Sequence, residues 1–168
     1  GLGSNDYINC IMGKIDNIPY CSMLQKVIIG NNVTRIDVNT FHNCYNLSSI
    51  IIPNNITIIQ TAAFYNCYNL SSIIIPDSVS SIKESAFSYC YSLSNIIIPN
   101  NINDIGKSVF QYCRGLYSVT ISNSIDTIKS SMFQYCENLS SIIIPSNIFN
   151  IEYNAFYYCS GMKEYHCL

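Results

Sequence analysis

Seven cysteines, Cys21, Cys44, Cys67, Cys90, Cys113, Cys136 and Cys159, stand at one fixed interval of twenty-three residues with no slip. A constant interval of that length commits the chain to a stack of like units, because one such unit can bury its apolar side only against its neighbours. Other residue types keep the same interval. Phe41, Phe64, Phe87, Phe110, Phe133 and Phe156 form one column, and Leu24, Leu47, Leu70, Leu93, Leu116 and Leu139 form another that Met162 continues. Further columns of Val or Ile run through Ile50, Ile52, Ile56 and Ile59 and their equivalents, so that a unit reads Phe-x-x-Cys-x-x-Leu-x-x-Ile-x-Ile-Pro-x-x-Ile-x-x-Ile-x-x-x-Ala.

Each unit reads physically as a coil with three sides. β-Branched residues suit a strand, and the alternation of Ile50 and Ile52 predicts a short strand with both facing in and Ile51 facing out. Pro53 ends that strand, and a second extended piece holds Ile56 and Ile59. Ala63, Phe64, Cys67 and Leu70 then follow at spacings of one, three and three, which predicts a single helical turn. Coils stacked about 4.8 Å apart would join the strands into a parallel sheet. The column Asn55, Ser78, Asn101, Ser124 and Asn147 reads as an exposed turn.

These columns resemble the leucine-rich repeat, in its twenty-three-residue BspA-like (bacterial surface antigen-like) subclass, where Cys-x-x-Leu leads into a short strand and a Pro turn follows. The matching stretches are CYNLSSIIIP at 44–53 and again at 67–76, CYSLSNIIIP at 90–99 and CENLSSIIIP at 136–145. The resemblance implies a right-handed repeat solenoid with a parallel β-sheet on one face and short helical turns or extended segments on the others. The domain reading is an N-terminal capping or irregular segment over 1–17 and a solenoid of about six to seven units over 18–168.

Composition narrows function by exclusion. Charged residues make up only 11% of the chain and the net charge is −2, which leaves no electrostatic footprint for nucleic acid or an anionic membrane. Apolar runs stop at triplets such as Ile73–Ile75, so no membrane insertion is expected. The chain opens GLGSNDY, and no leader is read from it. The periodic cysteines share one inward column, and side chains stacked in register point the same way, which makes a disulfide torsion hard to reach; buried thiols are expected. Cys167 falls in the inward Ile52 column, whereas Cys10 lies where the repeat is blurred. With no Cys-x-x-Cys pair and only His42 and His166 to add nitrogen, no metal site and no cofactor are expected. His42 and Cys44 would sit on different sides of one turn, and no Gly-rich phosphate loop or close carboxylate pair stands out, so the chain is not read as an enzyme.

Two surfaces remain as candidates. The outward strand column of Ile28, Ile51, Ile74, Ile97, Thr120 and Ile143, with His166 next in line, forms an apolar stripe. It is flanked by Lys26, Ser49, Ser72, Asn95, Ser118, Ser141 and Glu164, and is taken as the partner-binding surface. The second is aromatic: Tyr89, Tyr112, Tyr135 and Tyr158 share one column and Tyr45, Tyr68 and Tyr91 another, offering rigid amphipathic area that a cation or a sugar could use, or that could shield the turn. Asn32, Asn46, Asn55, Asn69 and Asn138 each open an Asn-x-Ser/Thr triplet.

The resemblance implies a cell-surface or secreted protein of a host-associated bacterium or an anaerobic protist, with adhesion to a protein ligand as its role. The runner-up readings are a structural array segment that self-associates through its solenoid ends, and an intracellular scaffold, which suits unpaired cysteines.

Overall fold

A coil that returns to its start after a fixed number of residues sets each side chain above its equivalent in the previous coil, so one sequence column becomes one physical ladder. The computed structural model describes residues 21–163 and 166–167 and has this form throughout; the 1–17 segment and Cys10 lie outside the described residues. Along the first side run β1 (Lys26–Ile28), β3 (Ser49–Ile51), β6 (Asn95–Ile97), β8 (Ser118–Thr120), β10 (Ser141–Ile144) and β12 (His166–Cys167). Every pairing is parallel and offset by one unit, as with Val27 beside Ile50 and Ile96 beside Val119. The second side carries two-residue strands: β2 (Arg35–Ile36), β4 (Ile58–Ile59), β5 (Ser81–Ile82) and β7 (Asp104–Ile105) form one parallel sheet, and β9 (Thr127–Ile128) pairs with β11 (Asn150–Ile151).

The third side departs from the expected helical turn. Its one-three-three spacing is produced by a chain of reverse turns, in which Cys44 N–H donates to Phe41 C=O at 3.1 Å and Leu47 N–H to Cys44 C=O at 3.1 Å. Two residues per coil take the left-handed conformation, Asn39 and Asn43 in one coil, Ser85 and Tyr89 in another, with φ between 53° and 63° along the whole series. These reversals turn alternate amides toward the next coil: Asn39 N–H donates to Thr61 C=O at 3.1 Å, Phe41 N–H to Ala63 C=O at 2.8 Å and Asn43 N–H to Tyr65 C=O at 2.9 Å. An α-helix would spend those amides on its own carbonyls and leave nothing for the neighbouring coil. It would also need 8–10 Å between axes, about twice the coil step.

The core is a set of ladders. Phe41, Phe64, Phe87, Phe110 and Phe133 are wholly buried, and each stacks on the next at ring-centroid separations of 5.1 to 5.7 Å. The cysteine column does more than fill space: Cys67 Sγ donates to Phe41 C=O at 3.2 Å, Cys90 to Phe64 at 3.3 Å and Cys113 to Phe87 at 3.2 Å. Each phenylalanine carbonyl thereby accepts an amide from its own coil and a thiol from the next. At the first step of the column Cys21 and Cys44 have Cα atoms 4.6 Å apart, within reach of a disulfide, whereas Cys67, Cys90, Cys113, Cys136 and Cys159 are free. The column read as an exposed turn does lie in turns, exposed at Asn101, Ser124 and Asn147, and its side chains also form a polar ladder. Asn55 donates to Asn31 C=O, Ser78 to Ile56 C=O, Asn101 to Asp77 C=O and Ser124 to Ile102 C=O, each at 2.6 or 2.7 Å.

Two predictions follow from the ladders. Phe87 lies between Phe64 at 5.1 Å and Phe110 at 5.6 Å, so Phe87→Ala removes both stacks and leaves a cavity. Denaturant unfolding should show a loss of about 3–5 kcal/mol, and a loss below about 1 kcal/mol would contradict this core assignment. Burial raises the thiol pKa values, that of Cys113 to about 12, which removes the reactive thiolate near neutral pH. Alkylation of the native protein at about pH 8 should spare Cys67, Cys90, Cys113 and Cys136 and reach them only on unfolding. Native labelling of Cys90 as fast as that of half-exposed Cys159 would mean the column is open.

Candidate functional site

The strand face is built by alternation. In β3, β6, β8 and β10 the residue between two inward ones points out, and the burial pattern along Ser141–Ile144 shows the rule in full: exposed, buried, exposed, buried. Ile28, Ile51, Ile74, Ile97 and Ile143 are 37, 54, 84, 67 and 52% exposed, and Thr120 is exposed in the same column. Of the flanking residues, Ser72, Asn95 and Ser141 are exposed while Ser49 and Ser118 are half-buried. For His166 only the backbone, in β12, is described.

Ile74 stands apart from its column. Its coil contributes no strand to the first side, so the ladder stops at β3 and resumes at β6, although Ile73 and Ile75 keep their inward positions. Released from the sheet, Ile74 is the most exposed large apolar side chain among the described residues.

Beside the stripe lies a polar column that the sequence reading passed over: Asn31, Asn54, Asp77, Asn100 and Asn123, all exposed, each in the turn at the end of the coil's first side. Shallow clefts open between the two columns at the same place in the unit, one lined by Ile28, Ile51, Pro53 and Asn54, another by Ile97, Thr120, Asn100 and Asn123. The repetition of Asn or Asp directly after proline, at Asn54, Asp77 and Asn100, was the available signal. The face thus offers one β-branched contact and one amide or carboxylate hydrogen-bonding group per unit and almost no charge.

The tyrosine columns are organised differently. Tyr89, Tyr112, Tyr135 and Tyr158 stack face to face at 4.4, 4.5 and 5.0 Å, and Tyr68 stacks on Tyr91 at 4.8 Å. Ring faces spent on one another are not available to a sugar or a cation along the interior of the column. The Arg114 guanidinium lies 5.2 Å over the Tyr91 ring and is paired with Glu137 at 3.0 Å, so that ring face is occupied as well. Burial, with the neighbouring phenols adding, pushes Tyr89 up to about 12, so its hydroxyl remains a donor near neutral pH.

His42 packs against Tyr65 with ring centroids 4.9 Å apart and meets Asn39 Oδ1 at 3.1 Å, and burial lowers its pKa. Among the described residues no group of three His, Cys, Asp or Glu side chains could hold a metal ion, and no helix is long and apolar enough to cross a membrane. Of the Asn-x-Ser/Thr residues, Asn55 has its side-chain nitrogen committed to Asn31 C=O, whereas Asn32, Asn46, Asn69 and Asn138 are exposed.

Comparison with known proteins places this geometry. Residues 34–163 match the BspA type leucine rich repeat region in six copies. A comparison with curated proteins gives no match. Among solved structures, a leucine-rich repeat protein of Bacteroides ovatus is 31% identical with a TM-score of 0.84, over 87% of this chain and 38% of that one. The Treponema pallidum leucine rich repeat protein is 26% identical with a TM-score of 0.80, over 86% of this chain and 67% of that one. A Eubacterium ventriosum leucine-rich repeat protein, at 20% identity and a TM-score of 0.70, shares the fold. The match covers most of the chain and spans the coils whose ladders were traced above, so the protein belongs to the BspA-type leucine-rich repeat family.

Proposed function

We propose that the chain is a non-enzymatic protein-binding module of a cell-surface or secreted protein, adhesin-like in role, and that it recognises its partner through the strand face. The observation that carries this reading is the exposed row of Ile51, Ile74 and Ile97 along the strand side, bordered by serine, asparagine and the single carboxylate of Asp77. A continuous apolar row of about 500 Å² is at the size where a surface patch on a monomer marks a contact. Residues that hold nothing in the core yet stay apolar gain their free energy only when another surface covers them. The family supports the surface location, and the exposed side chains of the polar turn column supply orientation. Tyr89, Tyr112, Tyr135 and Tyr158 serve to armour the turn side, since their faces are engaged with each other.

The test is binding to a panel of purified extracellular-matrix and cell-surface proteins, comparing the native chain with Ile74→Asp/Ile97→Asp. Carboxylates desolvated in an apolar contact cost several kcal/mol, so capture should fall by at least about tenfold. The melting temperature should move by less than about 4 °C, because neither side chain is in the core. Native affinity in the folded double variant would move recognition off the strand face, with Tyr135→Ala and Tyr158→Ala the next variants to measure.

A further inference from the structure

We infer that the solenoid carries a second binding site, a polar cleft between β7 and β9 that takes one ring of a neutral saccharide. It lies on the second side and is independent of the strand face. Its origin is one exception in the repeat. Proline ends the first side at Pro53, Pro76, Pro99 and Pro145, and Ser122 stands in its place in the coil before the last of these. In the proline coils the turn closes on the proline carbonyl, which accepts Ile56 N–H at Pro53 and Ile102 N–H at Pro99, both at 3.2 Å. In the serine coil the hydroxyl takes over the turn: Ser122 Oγ accepts Ser124 N–H at 3.3 Å and pairs with Ser124 Oγ at 2.7 Å.

The coil step beside that turn is left open. At the other steps of the second side, Thr57 N–H donates to Thr34 C=O at 2.8 Å, Ser80 to Thr57 at 2.9 Å, Asn103 to Ser80 at 3.0 Å and Phe149 to Asp126 at 3.0 Å. Beyond the strands, Lys83 N–H reaches Ile59 C=O at 2.8 Å, Gly106 reaches Ile82 at 2.8 Å and Glu152 reaches Ile128 at 2.9 Å. The equivalent bonds from Asp126 to Asn103 and from Lys129 to Ile105 are not formed, and β7 does not pair with β9. The turn side still joins the same two coils, with Phe110 N–H donating to Met132 C=O at 2.9 Å, so the gap is a wedge. A cleft of about 190 Å³ opens in it, lined by Asn103, Asp104, Asp126, Thr127 and Lys129. Thr127 is only 5% exposed and its hydroxyl meets this cleft without a protein partner, whereas Ser81 in the same column donates to Asp104 Oδ2 at 3.0 Å.

The chemistry of the lining selects the ligand. Two amides and the Thr127 hydroxyl donate, while the carbonyls of Asn103 and Ile105 and the Asp126 carboxylate accept. Hydroxyl groups do both, so a polyol ring answers each of them and reproduces the pattern of the waters it displaces. Charge gives no competing claim: Asp104 is paired with Lys83, and Lys129 with Glu152 at 3.3 Å. Asp126 is then the one carboxylate of the lining outside an ion pair, too little to hold a metal ion. One rung beyond Asp126 stands Phe149, 77% exposed, whose ring face suits the C–H side of a sugar.

The test is an NMR titration of the full chain, labelled with nitrogen-15, with the methyl glycosides of glucose, galactose and mannose and, separately, with calcium chloride. The amides of Asp126 and Lys129 should shift saturably with at least one glycoside, with a Kd of about 1–10 mM. Before addition they should exchange with solvent at least about tenfold faster than the bonded amides of Ser80 and Lys83, and the glycoside should slow them. Thr127→Val keeps the side-chain shape and drops the hydroxyl; it and Phe149→Ala should each weaken binding at least about fivefold. Ser122→Pro should close the step, slowing exchange at Asp126 and Lys129 and abolishing the response. If that variant fails to fold, Thr127→Val and Phe149→Ala, which leave the turn alone, decide the matter. No saturable response to any of the three glycosides overturns the inference, as does native affinity in Thr127→Val. Shifts of the same two amides by calcium chloride would make the cleft a cation site, and glycoside shifts confined to the strand face would place the sugar there; either result overturns it as well.

Discussion

Neighbouring coils must exchange hydrogen bonds at one common pitch, and every other feature of this solenoid is arranged around that demand. On the two strand sides the demand is met by parallel ladders in which the register equals the sequence period, as between Arg35 and Ile58 or Ser141 and Ser118. On the turn side it is met by alternate amides, with Phe64 donating to Ala86 and Phe87 to Val109. Left-handed backbone costs an ordinary residue about 1–2 kcal/mol, yet it recurs at Ala62, Ser85, Ser108 and Ser131 because it is what points those amides along the axis. The local penalty is offset by a backbone bond between coils in each case.

Polar groups follow the same logic. A coil interior that narrow leaves carbonyls facing inward, and the cysteine column answers them with thiol donors that are small enough to fit and apolar enough to be buried. At the corner after the first side, asparagine or serine reaches back to the previous coil, and threonine or serine does so again at Thr57 and Ser80. No buried side-chain nitrogen or oxygen among the described residues lacks a partner. Ion pairs join the outer edges of successive coils, Lys107 to Glu84 at 3.4 Å and Lys129 to Glu152 at 3.3 Å, and being exposed they contribute order more than stability.

What the sequence reveals is whatever depends on side-chain period. The inward columns, the outward isoleucines and the parallel stacking are legible from residue types alone, because burial selects apolar residues at fixed positions. The turn side is not, since a left-handed Tyr89 or Tyr112 carries no compositional mark, whereas Asn43 and Asn66 in the same position hint at it only in retrospect. Strand boundaries are equally hidden: CYNLSSIIIP occurs at 44–53 and at 67–76, yet Ser49–Ile51 is a strand and the identical Ser72–Ile74 is not. Pairing between coils decides that, not local preference. The clefts beside the stripe escaped notice for a similar reason, as they exist only where one coil's turn overlaps the next coil's outward side chain.

The two identical ten-residue stretches have a consequence for how such a chain can change in length. Splicing the chain from any point in 44–53 to the matching point in 67–76 removes one whole coil and joins residues that already occupy equivalent places, so the seam is invisible to the core. Phe41 would then face Phe87 as it now faces Phe64, and every ladder would close with one rung fewer. Insertion by the same route adds a rung. The solenoid can therefore lengthen or shorten in whole turns without passing through a misfolded intermediate design, and reach along its axis becomes a property that varies in discrete steps while the surface chemistry of each step is retained.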